Sequence, residues 1–204
     1  MDPAMTSMSP EDAVLIPLDD PSLRVRVICL HKGKEPGAFI FLQSMRSGLL
    51  MRIHSDPETS ETAKAYRRNE GRYQNMLAEK MPSDFDAVVS PPSRMAWQAE
   101  PYRQAIRLRN PSAIDLTPQL RRTGRAFAGE NATVAEISEQ MEYVATGHEG
   151  DIRRLIIVDD TFTRGTTAAA TVRVLRAYGL PADCEIIVAC PLWLDTFDPA
   201  AETD

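Results

Sequence analysis

Leu155–Thr167 reads LIIVDDTFTRGTT, and it limits the fold more than any other stretch of the chain. Its apolar start, with two adjacent isoleucines, predicts a strand buried on both faces. Asp159 and Asp160 end that strand, a short loop of Thr and Gly follows, and Ala168–Tyr178 predicts a helix. A buried strand leading through a tight loop into a helix is the unit from which parallel sheets with covering helices are built. In such sheets ligands bind just outside the carboxyl ends of the strands.

The chemistry of the loop narrows the ligand. A helix N-terminus offers unpaired N–H groups and the positive end of a dipole, which suits a phosphate. A pair of carboxylates beside it repels phosphate but accepts hydrogen bonds from a sugar diol. Together they point to a sugar phosphate, hydroxyls on the acids and phosphate in the loop. The plainer alternative is a buried strand that ends in two aspartates before an ordinary turn.

Composition sets outer bounds. With 204 residues, 43% hydrophobic and 25% charged, the chain suits one domain with a real core. A net charge of −6 argues against a non-specific nucleic-acid or membrane binder. No apolar run approaches the roughly 20 residues that span a bilayer. No basic stretch leads into an apolar core at the N-terminus, so a cytoplasmic protein without a signal peptide is expected. Cys29, Cys184 and Cys190 form no CxxC pair and read as reduced, buried thiols; Cys184 and Cys190 fall on one face of a strand. His31, His54 and His148 lack the spacing of a metal pair.

Along the chain, residues 1–21 read as a flexible lead and residues 22–55 as antiparallel strands over Leu23–Val27, Ala38–Gln43 and Leu49–His54. Residues 56–195 read as an α/β core, and residues 196–204 as an acidic tail. Within the core a helix capped at Asp56-Pro57 runs to about Lys80, and Phe85–Ser90 is a short strand before the rigid loop Pro91-Pro92-Ser93-Arg94. A helix follows over Pro101–Leu108, with Arg103, Arg107 and Arg109 on its wet face. Then come a strand at Ala113–Leu116, a basic loop at Arg121–Glu130, and a helix capped by Asn131 that passes through Val134, Ile137, Met141 and Val144. After the key unit Gly179 closes the helix, and Cys184–Cys190 is the last strand. The order predicts a mainly parallel sheet with helices on both faces.

The motif over Leu155–Thr167 resembles the PRPP-binding motif of type I phosphoribosyltransferases (PRPP is phosphoribosyl pyrophosphate); its RGTT end is most similar to the amidophosphoribosyltransferase loop. The layout, with arginines ahead of the VDD strand, also resembles competence-associated phosphoribosyltransferase-like proteins, without their N-terminal cysteine zinc site. The resemblance implies a type I phosphoribosyltransferase fold, with the strands of residues 22–55 as a hood. It implies catalytic roles for Asp159 and Asp160, and ribose 5-phosphate contacts from Asp159, Asp160, Thr161, Thr163, Arg164, Gly165, Thr166 and Thr167. Ser90, Ser93 and Arg94 take the place of the pyrophosphate loop, although prolines supply no N–H and a cis bond is one way to fit them. Arg121, Arg122 and Arg125 take the place of a mobile lid.

The resemblance further implies Mg²⁺, held mostly by PRPP and water with Asp159 as a candidate ligand, a small-molecule acceptor, and a homodimer. Thr163 stands where hypoxanthine–guanine enzymes carry an aspartate base, which argues against a 6-oxopurine acceptor. The alternative is a catalytically silent member that binds PRPP or a nucleotide and acts through a partner protein or nucleic acid.

Overall fold

A computed structural model describes residues 14–17, 23–32, 61–92, 96–123 and 132–193. The protein is α/β, with a mainly parallel central sheet covered by helices on both faces. Strands β1 (Val14–Pro17), β2 (Arg24–Lys32), β3 (Ala87–Val89), β4 (Ile114–Asp115), β7 (Arg154–Val158) and β9 (Glu185–Trp193) lie in the order β1-β2-β9-β7-β3-β4. β1 is antiparallel to β2, and the other pairings are parallel. The short β8 (Thr161–Phe162) adds a parallel pairing to the far end of β9. β5 (Leu120–Arg122) and β6 (Met141–Tyr143) form a separate antiparallel pair. The helices are α1 (Glu61–Lys80), α2 (Ala96–Arg107), α3 (Val134–Glu139) and α4 (Thr166–Ala177).

Strand alternation divides the core in two. Leu155 and Ile157 of β7, Ala87 and Val89 of β3, and Ile186, Val188 and Cys190 of β9 pack with α4. Ile156, Val158, Val88, Ile187 and Ala189 turn to the other face and pack with Leu77 of α1 and Tyr102 and Ile106 of α2. β7 lies between β9 and β3 with both faces covered, which is why its sequence is continuously apolar. The buried Ala168, Ala169 and Ala170 let α4 lie close on the sheet. α4 ends in a Schellman turn: Gly179, at φ 106°, donates to Arg176, and Leu180 donates to Leu175. Among the described residues no helix is long and apolar enough to cross a membrane.

Several expectations change. Residues 14–17 of the supposed lead form a strand, because they pair with β2. β2 is no meander strand: it joins the main sheet by a parallel ladder to β9, from Arg26↔Ile187 to Lys32↔Trp193. The expected strands at Ala38–Gln43 and Leu49–His54, the cap at Asp56, and the acidic tail lie outside the described residues. α2 begins before Pro101 and contains it. α3 stops at Glu139, because Met141–Tyr143 pairs with Leu120–Arg122 and Tyr143 is buried. Its cap is Thr133, whose Oγ1 accepts from the Glu136 N–H while Glu136 accepts from the Thr133 N–H at 2.8 Å. Asn131 lies outside the described residues.

Candidate functional site

The carboxyl end of β7 carries the acid pair. The Asp159 N–H still belongs to the sheet, donating to the Ala189 carbonyl at 3.0 Å, so the first acid sits on the last rung of the ladder. The chain then leaves β7 on the β9 side: Thr161 pairs with Leu192 and Phe162 with Trp193. Phe162 meets Trp193 edge-on at 5.9 Å, and the Lys32 ammonium lies 4.1 Å from the centre of the Trp193 ring. These contacts anchor the loop, while Thr163 and Arg164 are exposed. Gly165 adopts φ 75°, a left-handed conformation that suits glycine, and directly precedes α4. Having no side chain, it gives the helix no side-chain cap, and the positive end of the α4 dipole faces the loop. Thr166 is buried and Thr167 half-buried.

The two acids differ. Asp159 folds back, its Oδ1 accepting from the Asp160 N–H at 2.9 Å. Burial, with the Asp160 carboxylate beside it, pushes the Asp159 carboxyl well above the usual carboxylate range. Asp159 and Asp160 place two adjacent carboxyl groups at the end of β7, a pattern that suits a sugar diol. No group of three or more His, Cys, Asp or Glu among the described residues is arranged to hold a metal. Beneath the pair, burial first and then the nearby Cys29 thiol push the Cys190 thiol up. Cys29 and Cys190 are partners in the β2–β9 register, and all three cysteines are buried and outside any disulfide.

β3 ends next to β7, with Val89 opposite Ile157, so Ser90 stands beside the acid pair. Ser90 is 4% exposed, and its Oγ has no hydrogen-bond partner. Its N–H donates to Thr117 Oγ1 at 2.9 Å. Pro91 and Pro92 offer no N–H, and no peptide bond among the described residues is cis, these prolines included. Ser93 and Arg94 lie outside the described residues.

The arginines do not behave as expected. Arg121 and Arg122 sit on β5 and not in a loop; Arg121 is exposed, and Arg122 donates to Gln140 Oε1 at 2.7 Å. Arg125 lies outside the described residues. Arg103 leaves the wet face of α2 altogether: it is 8% exposed and bonded to Asp115 and Glu100. Asp115 also meets Arg107 at 3.3 Å, and its Oδ1 accepts from the Thr117 N–H at 3.0 Å. Sequence reasoning missed Asp115 and Thr117. The signal was the spacing Asp-x-Thr before Pro118, the signature of an Asx turn. A cavity of about 240 Å³, bounded by Phe85, Asp86, Asn110, Ile114, His148 and Ile152 among others, lies at the opposite end of the strands.

The sequence matches no model of a known protein family, and no curated protein matches it either.

Proposed function

We propose that the protein is a phosphoribosyltransferase-type enzyme that binds PRPP as its Mg²⁺ complex and transfers the phosphoribosyl group to a nitrogen acceptor, releasing pyrophosphate. The observation that carries this reading is the meeting, at the end of β7, of two adjacent aspartates with a glycine-led helix start. The uncapped α4 terminus and the hydroxyls of Thr163, Thr166 and Thr167 suit the 5-phosphate. Asp159 and Asp160 take the two ribose hydroxyls. The metal enters with the substrate, held by diphosphate oxygens and water.

In the reaction the bond from C1 to the diphosphate oxygen breaks and its electron pair leaves with pyrophosphate. The acceptor nitrogen forms the new bond to C1 and loses a proton. Positive charge grows on the ring meanwhile, and the negative charge of the acid pair favours it. A screen for pyrophosphate release from PRPP with bases, amines and ammonia tests the proposal. Release that needs one class of acceptor and is lost in Asp160→Asn supports it; binding of PRPP with no release in any mixture defeats it.

A second reading, a silent member that binds PRPP or a nucleotide and acts through a partner, is favoured by one observation. The Ser90 N–H is already donated to Thr117, and two prolines follow, so the backbone from Ser90 to Pro92 has no donor left for a diphosphate. Under this reading PRPP or a nucleoside monophosphate binds and is recovered unchanged.

A further inference from the structure

The group carried at C1 of a bound sugar phosphate has a defined neighbour, and the argument rests on the ribose 5-phosphate reading above. The loop after β7 leans toward β9, since Thr161 and Phe162 pair with that strand. β3 lies on the other flank of β7. A sugar whose phosphate occupies residues 163–167, and whose diol meets the acids, therefore turns its C1 side toward Ser90. There the Ser90 hydroxyl is buried, 4% exposed, and without a protein partner. A buried hydroxyl left unpaired is costly, and a ligand atom relieves that cost.

Ser90 is itself held from behind. Its N–H donates to Thr117 Oγ1 at 2.9 Å, and the Thr117 N–H donates to Asp115 Oδ1 at 3.0 Å. Asp115 is fixed in turn by the buried Arg103 and by Arg107 at 3.3 Å, both from α2. The relay runs from a packed helix through two side chains to the last residue before a double proline, and it fixes the Ser90 backbone from which Oγ projects. We infer that Thr117, clamped by Asp115 and Arg103, is a positioning residue that aims Ser90 Oγ at the substituent on C1 of the bound sugar phosphate. Thr117 touches no ligand; it acts through Ser90.

Calorimetric titration of the full chain with ribose 5-phosphate and with Mg-PRPP tests the inference, because the two probes differ at C1. Thr117→Val should weaken Mg-PRPP about ten-fold and leave ribose 5-phosphate within about two-fold. Thr117→Ser, which keeps the hydroxyl, should restore Mg-PRPP. Ser90→Ala should reproduce the loss, and the double variant should add nothing to it. Retained ribose 5-phosphate binding also shows that a variant is folded. Equal losses for both probes, or none for either, would overturn the inference and leave the sugar-phosphate reading standing. A wild-type protein that binds neither probe overturns that reading and this inference with it.

Discussion

The two ends of the central sheet handle their carboxylates in opposite ways. At the amino end Asp84, Asp86, Glu149 and Glu185 all have donors. Asp86 accepts from the Arg153 and Arg154 N–H groups at 2.7 and 2.8 Å, tying β3 to the start of β7. Glu185 accepts from Arg154 Nε at 2.6 Å, and Asp84 meets the same arginine. Glu149, 2% exposed, accepts from the Tyr143 hydroxyl, Thr146 and the Gly147 N–H. Burial works against the Glu149 carboxylate, yet these bonds hold its pKa down to about 2. At the carboxyl end two acids face each other, burial and the neighbouring acid push the Asp159 carboxyl up, and the serine hydroxyl alongside has no partner. Acids at one end secure the fold. At the other end, burial works against Asp159 with no cation bonded to it among the described residues.

The largest effect falls at the amino end. Glu149→Ala strands buried donors and should cost about 3 kcal/mol of stability in urea denaturation, leaving ribose 5-phosphate affinity unchanged. A cost below about 1 kcal/mol would mean that the donors find other partners. At the carboxyl end the balance reverses: Asp160→Asn should weaken ribose 5-phosphate about ten-fold or more by titration and leave the urea midpoint in place. A lowered midpoint would make that acid structural and erase the contrast.

Asp86→Ala removes the acceptor of two backbone N–H groups and should cost about 1–2 kcal/mol without touching ligand affinity. The smallest effect is one of pH, and the two ends should show opposite signs. Glu149 titrates low in the folded state, so its stabilisation is complete above about pH 4.5 and is lost as pH falls through about 2. Asp159 titrates high, so its contribution is complete below the ordinary carboxylate range and is lost as pH rises through its folded value. Asp159→Asn should therefore flatten the decline on the alkaline side, with a gain of about 1 kcal/mol or less. A steeper decline would show that Asp159 is stabilised as the anion.

The fold was legible wherever one local rule decided it. The apolar run of Leu155–Val158 needs a strand covered on both faces, and Gly179 after a helical stretch needs a left-handed turn. Pairings between distant segments were less legible. Nothing local says that Arg24–Lys32 joins β9 in parallel, or that Met141–Tyr143 abandons a helix to pair with Leu120–Arg122. The acid pair and the glycine-led loop stood out because their chemistry is contiguous in sequence. Ser90 was singled out by its place after a strand, and Thr117 and Asp115 were not, since a relay across two strands leaves no contiguous pattern. Arg103 misled because helical spacing reports which face a residue is on, and not that Asp115 waits there.

The central claim is that the carboxyl end of β7 holds a ribose 5-phosphate, with the acids on its diol. Titration of the wild-type protein and of Asp160→Asn with ribose 5-phosphate and with 2-deoxyribose 5-phosphate tests it most directly. The account predicts that the wild type prefers the ribose form about ten-fold and that Asp160→Asn loses most of that preference. Equal affinity for the two sugars, or a preference that survives Asp160→Asn, would contradict it.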